Sequence, residues 1–263
     1  MGKVVSLFKI SLSVLLSFAV SANAAFVSIE DFEDLNIDFI GGQNGWVAGS
    51  STVAVDPDDP DNQMLAVIMD SARAHKSMLI AHGDVRMMFL RFRFEEQLSC
   101  SFGSSHVSSP TEYSDFGPEL NLVHSSTDLN TANSHTTGIY DTIATGLSAG
   151  TWYNLWVLVD NIEKESQVWL NTEGNADSGD KLSNDDQIEI FGFRVNTGSY
   201  DLVNFYVKAS SGGTGDFGPL YIDDIYLENA DQTNLINPVP EPATVLIIAL
   251  GGLFISRRRP DKK

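Results

Sequence analysis

The sequence predicts an all-β protein, a jelly-roll β-sandwich that occupies residues 25–230. Three observations support this fold class. Short runs of alternating apolar and polar residues recur along the chain, turn-forming residues separate them every 8 to 15 residues, and no long stretch has the 3.6-residue period of a helix. We expect about a dozen strands, and no domain boundary is visible inside this span.

The first 24 residues have the layout of a secretory signal peptide. Two lysines precede a largely apolar run at residues 10–20, and small residues follow that run. Signal peptidase is therefore an expected partner, and no cysteine follows the cleavage site to anchor a lipid. The residues that define the cleavage site are Ala22, Ala24 and Ala25.

The span between the two ends is strongly acidic. Residues 25–240 contain 9 Lys and Arg against 33 Asp and Glu, a net charge of −24. Such a surface repels nucleic acid and anionic lipid, and it suits a soluble exterior or divalent cations. Cys100 is the single cysteine, so the chain has no internal disulfide. Its thiol is either a small buried hydrophobic group or free for intermolecular pairing.

Several strands can be assigned from their alternation. In residues 86–94 the side chains of Met88, Leu90, Phe92 and Phe94 fall on one face, and the other face ends in Arg91 and Arg93. Residues 152–160 alternate in the same way, and the turn at 161–164 joins them to a hairpin partner at 167–170. The remaining two clear strands are predicted at residues 188–195 and 220–228.

Clustered carboxylates make a structural calcium ion the one cofactor that the sequence suggests. Hard oxygen donors are concentrated at residues 56–61, a stretch that an ordinary charged turn explains better than a metal site does. Strand alternation directs one of Asp223 and Asp224 inward, where it needs a cation or a hydrogen-bonded network. The candidate ligands are Glu33, Asp56, Asp58, Asp223 and Asp224.

Aromatic residues on one strand suggest a sugar-binding face. Trp152, Asn154 and Trp156 share a face of the strand at 152–160, and Tyr140 and Trp169 are candidates to extend it. Exposed aromatic rings stack on pyranose faces, whereas buried ones belong to the core. Both interpretations remain open from the sequence.

Catalytic signatures are absent from the sequence, so we expect a protein that is not an enzyme. Glycoside hydrolysis needs paired carboxylates that flank the scissile bond, and the acidic cluster at residues 30–34 lacks that spacing. The five histidines show no grouping of the kind used by polysaccharide lyases.

The last 25 residues combine a short proline motif, an apolar run and a basic end. A Val-Pro-Glu-Pro sequence precedes 14 uncharged residues and three arginines, and a polar linker at residues 231–238 connects the tail to the domain. A 14-residue helix covers about 21 Å, which is short for a bilayer core of about 30 Å, so an ordinary single-span anchor is the less favoured alternative. This arrangement resembles the PEP-CTERM sorting tail of Gram-negative bacteria. The resemblance implies transient membrane insertion of a short C-terminal helix, recognition by an exosortase, and delivery to the outer surface or exopolysaccharide matrix. The residues that carry it are Val239, Pro240, Glu241, Pro242, Arg257, Arg258 and Arg259.

The middle of the chain resembles concanavalin A-like, laminin G-type jelly rolls. The similar segments are residues 56–65, 146–160 and 221–227, and Phe32-Glu33 with Gly45-Trp46 also resembles galactose-binding modules. Both resemblances imply a β-sandwich associated with extracellular polysaccharide. The function expected is thus a non-catalytic, glycan-associated surface protein; a purely structural surface protein is the alternative, and a polysaccharide hydrolase or lyase is less favoured.

Overall fold

The computed structural model describes residues 26–68, 72–96, 99–123, 126–133, 139–173, 179–210, 218–228 and 234–239. The predicted signal peptide with its cleavage site, the membrane helix, and every residue of the predicted sorting tail beyond Val239 lie outside these ranges. Within them, no helix is long and apolar enough to cross a membrane.

Sixteen strands and a short 3-10 turn, Tyr113–Asp115, make up the regular structure of the described residues. The strands are β1 (Phe26–Glu30), β2 (Val47–Ala48), β3 (Thr52–Val55), β4 (Gln63–Val67), β5 (Arg73–Ile80), β6 (Val85–Phe94), β7 (Cys100–Ser105), β8 (Phe116–Leu122), β9 (Leu129–Ala132), β10 (Tyr140–Ala144), β11 (Tyr153–Asp160), β12 (Glu165–Thr172), β13 (Asp180–Lys181), β14 (Phe191–Gly192), β15 (Leu202–Ala209) and β16 (Leu220–Glu228).

The strands form two antiparallel sheets that pack face to face. Sheet A has nine strands in the order β13-β12-β11-β6-β16-β4-β3, with β1 paired to β16 and β14 paired to β12. Sheet B has seven strands in the order β10-β9-β8-β7-β15-β5-β2. Many neighbours in each sheet are distant in sequence, as expected for a jelly roll. The predicted all-β jelly-roll sandwich is therefore confirmed.

The core lies between the sheets and follows the period of two. On β6, Met88, Leu90 and Phe92 are fully buried and point toward sheet B. Each such side chain contributes about 1.5–3 kcal/mol on burial. Cys100 also points inward from β7 and is fully buried, and burial raises the pKa of its thiol. Its interpretation as a small core residue is therefore the one that the structure supports.

The strands nearest the centre of sheet A were predicted well, and one strand at its edge was not. The β11–β12 hairpin pairs Asp160 with Glu165, and Oδ1 of Asp160 accepts hydrogen bonds from the backbone N–H groups of the turn. In contrast, the strand expected at residues 188–195 is reduced to β14. After β14 the backbone N–H groups of Phe193 and Arg194 donate to carbonyls that lie outside β12. Before it the N–H of Ile188 donates to Asn184 Oδ1, so these groups do not extend the pairing with β12.

Candidate functional site

The outward face of sheet A carries a network of charged side chains around Arg91. Arg91 lies directly opposite Asp223 on β16, and its Nη2 donates to Asp223 Oδ2 at 2.6 Å. Its Nε lies 2.6 Å from Oδ2 of Asp224, and its Nη1 donates to Glu173 at 2.6 Å. One guanidinium group therefore meets three carboxylates on this face.

The expectation that one of Asp223 and Asp224 enters the core was wrong. Asp224 has a φ of 51°, and the β16–β6 register shifts between Asp223 and Tyr226. This bulge interrupts the alternation, so both carboxylates meet Arg91. Burial and the closeness of Asp224 raise the pKa of Asp223, while Arg91 opposes that rise.

The other predicted calcium ligands are also held by nitrogen donors. Asp56 Oδ2 accepts hydrogen bonds from Trp152 Nε1 at 3.0 Å and from an asparagine amide, and Asp58 pairs with Arg93. Glu33 accepts the backbone N–H of Gln63 at 3.0 Å. In the described ranges, no three His, Cys, Asp or Glu side chains are grouped to hold a metal ion. Arg91 and Arg93 contact four of the five predicted ligands and Glu33 accepts a backbone N–H, so nitrogen donors occupy positions that a calcium ion would need, and a calcium site stays a prediction.

Four of the five predicted sugar-binding residues also lie on the outward face of sheet A, and all four are buried there. Trp152 is 5% exposed, with the guanidinium of Arg91 5.1 Å from its ring centre. Asn154 is 1% exposed and donates to Asn171 at 2.9 Å. The remaining two are Trp156 and Trp169, which form an apolar cluster with Met87 and Phe89.

A segment of the chain itself covers this cluster. We call residues 234–239 the strap. Leu235 and Val239 pack against the cluster, and Trp156 Nε1 donates to the carbonyl of Ile236 at 3.4 Å. The strap therefore covers the aromatic surface on which two of the predicted sugar-binding tryptophans lie.

The outward face of sheet B holds the fifth predicted residue, Tyr140, beside a buried carboxylate. Glu119 on β8 is 1% exposed. Its Oε1 accepts the Tyr140 hydroxyl at 2.8 Å, and its Oε2 accepts Arg194 Nη1 at 2.6 Å. Burial raises the pKa of Glu119, and hydrogen bonds from Ser101, Arg194 and Tyr140 oppose the rise.

Half-buried tyrosines and cations continue across this face. The guanidinium of Arg194 lies 5.6 Å from the ring centre of Tyr140 and 5.7 Å from that of Tyr113. On the other side of Tyr113, Lys208 Nζ is 5.1 Å from the ring centre and donates to the carbonyl of Thr111 at 2.5 Å. We call Tyr140, Arg194, Tyr113 and Lys208 the tyrosine track.

Several buried polar atoms on the side of sheet B that carries the tyrosine track have no hydrogen-bond partner among the described residues. Among them are Arg194 Nε, Asn130 Oδ1 and the hydroxyl of Tyr206. Asn130 and Tyr206 both belong to strands of sheet B. Buried polar groups in folded proteins are nearly always satisfied, so these atoms have bonding capacity left for water or a ligand.

Sequence reasoning found only Tyr140 of this group. Alternation on β8 would have put Glu119 on the outward face, as it did Arg91 on β6. Arg194 lies 75 residues away in the chain and outside any strand, so no local pattern connects it to Glu119.

The end of the chain can be identified by comparison. A family model for the PEP-CTERM protein-sorting motif matches residues 238–259. The chain carries a PEP-CTERM sorting motif. This motif indicates export and surface association in Gram-negative bacteria, and its match begins within the strap. A comparison with curated proteins finds no match.

Solved structures similar to the chain are β-sandwich proteins. The Emp47p carbohydrate recognition domain is 11% identical, with 80% of this chain and 100% of that chain covered and a TM-score of 0.50. The catalytic domain of a glycoside hydrolase family 131 protein from Coprinopsis cinerea is 12% identical, with 81% and 98% covered and a TM-score of 0.49. Lectin II from Ulex europaeus is 9% identical, with 76% and 99% covered and a TM-score of 0.48. Of these three, only the Emp47p domain reaches 0.5, and at this identity it shows similarity of fold alone.

Proposed function

We propose that this is an exosortase-sorted surface or matrix protein whose β-sandwich binds a polysaccharide along the tyrosine track without catalysis. The observation that carries the proposal is the pair of half-buried rings, Tyr113 and Tyr140, on either side of Arg194. The sorting motif supports an extracellular setting where polysaccharide is the abundant ligand.

The chemistry of the track suits a sugar chain. A tyrosine presents an apolar face for a pyranose ring and a hydroxyl for its substituents. The unpartnered Arg194 Nε and Asn130 Oδ1 offer a donor and an acceptor near the track. The Emp47p domain of similar fold is a carbohydrate recognition domain, which agrees with this use of the fold.

A binding role fits the track better than hydrolysis does. Hydrolysis requires two carboxyl groups about 5–9.5 Å apart across the scissile bond. The side chain of Glu119 is 0% exposed and its two oxygens accept hydrogen bonds from Tyr140 and Arg194, so it is not placed to reach a glycosidic bond at the surface. Glu119 therefore serves to fix Arg194 and Tyr140 in place.

Signal peptidase and an exosortase are the processing partners that we propose, with transient membrane insertion through the C-terminal tail and no role for nucleic acid.

A purely structural surface protein is the second candidate function. The burial of Trp152 and Trp156 favours it, because the sheet A face then offers no stacking surface.

The test is polysaccharide binding by the full chain, purified in a detergent without a sugar headgroup. We expect Tyr113→Ala to weaken binding about fivefold or more, because removing one stacking ring costs about 1–3 kcal/mol in single-stranded nucleic-acid complexes that bind through the same kind of contact. Tyr221→Ala is the matched control, since Tyr221 is a half-buried tyrosine of sheet A. If no polysaccharide binds, or if both variants bind like the parent chain, the binding proposal fails and the structural role remains.

A further inference from the structure

A small cavity lies at the edge of sheet B next to the tyrosine track. Its volume is about 120 Å³, and it lies between β2, β5 and the loop that precedes the 3-10 turn. A water molecule occupies about 30 Å³ in the liquid, so this space suits a substituent of a few atoms rather than a whole chain. The lining residues are Val47, Ala48, Arg73, His75, Ser109, Pro110 and Thr111.

The charge at this cavity is opposite to that of the protein. Arg73 has no ion pair among the described residues, although acidic side chains outnumber basic ones 33 to 9 in residues 25–240. It lies directly opposite Lys208 in the β15–β5 pairing, so two cations are cross-strand neighbours. Like charges placed so are unfavourable unless an anion lies between them. The nearest carboxylate to Lys208 is that of Glu112, at 3.8 Å, and its side chain is 68% exposed.

A buried hydroxyl without a partner lies beside these cations. Tyr206 pairs across the strands with His75, is fully buried, and its hydroxyl has no hydrogen-bond partner among the described residues. Burial and the neighbouring Arg73 lower the pKa of His75, so the imidazole is neutral at pH 7 and Arg73 supplies the charge. The lining of the cavity thus combines the Arg73 cation with neutral hydrogen-bonding groups, while the carboxylates of Asp115 and Glu112 lie near Tyr206 but outside the lining.

We propose that this cavity binds an anionic substituent, a carboxylate or a sulfate, and that the polysaccharide of the tyrosine track is therefore acidic. The inference rests on the proposed function. Thr111 lines the cavity and accepts the hydrogen bond of Lys208, which in turn lies over Tyr113, so the cavity and the track are continuous. A guanidinium group binds carboxylate and sulfate oxygens in pairs, which gives Arg73 its role.

The experiment measures binding of the full chain, in the same detergent, to three soluble polymers. These are polygalacturonate, the same polymer with its carboxyl groups reduced to alcohols, and a dextran sulfate. We expect the parent chain to bind at least one acidic polymer tenfold or more tightly than the reduced polymer. Preference for polygalacturonate or for dextran sulfate identifies the anion as carboxylate or sulfate.

Variants then assign the preference to the cavity. We expect Arg73→Gln to remove most of the tenfold preference while binding of the reduced polymer changes less than twofold, and Arg73→Lys to retain part of it. Lys181→Gln, which removes one cation from the edge strand of sheet A, should change nothing. Equal binding of acidic and reduced polymers by the parent chain, or an unchanged preference in Arg73→Gln, overturns the anionic cavity alone. Failure of all three polymers to bind overturns the proposed function with it.

Discussion

Replacing Arg194 by methionine tests whether the Glu119 site is as buried as the structure has it. The side chain of Glu119 is 0% exposed and that of Arg194 is 15% exposed, and they meet at 2.6 Å. Methionine fills most of the volume of the arginine stem but leaves Glu119 with only neutral donors, Tyr140 and Ser101.

The cost follows from that burial. Breaking a buried ion pair by removing one partner destabilises a protein by about 3–5 kcal/mol, because the remaining charge is uncompensated. For a domain of this size we expect the melting temperature to fall by about 6–20 °C. Burial already raises the pKa of Glu119 in the folded protein, and loss of Arg194 raises it further. A carboxyl group whose folded pKa exceeds its unfolded value stabilises the folded state as it takes up a proton, so the deficit should be full at pH 8 and smaller at pH 5.

Thermal and urea unfolding at these two pH values measure both effects. The matched control is the double variant Glu119→Gln with Arg194→Met, which removes the charge together with its partner. We expect it to recover most of the lost stability at pH 8 and to show little of the pH dependence. Equal stability of the single and double variants at pH 8 would refute the buried pair as the source of the loss.

The remaining predictions concern the strap and the core. Leu235→Asp places a charge against the apolar cluster and should undock the strap, which would shift the fluorescence of Trp156 to the red. Ile236→Asp is the control and should cause no such shift, because Ile236 is already 57% exposed. Identical spectra for these two variants would count against a docked strap. The thiol of Cys100 should react with Ellman's reagent only as fast as the protein unfolds, since the residue is fully buried; rapid labelling under native conditions would contradict this.

The sequence was sufficient for the fold wherever one face of a strand is buried. The alternation on β6 identified that strand and the side of it that faces the core, because a period of two is enforced by packing on one side, and the run at 220–228 identified β16 as a strand. It failed at Asp224, where a positive φ of 51° breaks the period without leaving a glycine or proline as a signal.

The site was less predictable because its contacts are not local. The sequence marked Asp56 and Asp223 as candidate metal ligands and Trp152 as a candidate sugar-binding residue, but it did not predict that arginines and a tryptophan would be the partners of these carboxylates. The Glu119–Arg194 contact joins residues 75 positions apart, and it depends on the loop after β14. Composition and periodicity contain no information on such a pairing.

The length of free chain between the domain and the sorting motif depends on whether the strap is docked. The matched motif begins at residue 238, and Val239 packs against the aromatic cluster, so the docked chain leaves no slack before Pro240. An extended residue spans at most about 3.3–3.6 Å, so release of the six strap residues adds about 20 Å of reach. We expect an enzyme that acts on this motif to meet a tail held close to the folded domain while the strap is docked on the aromatic cluster, and a tail with greater reach once the strap is released.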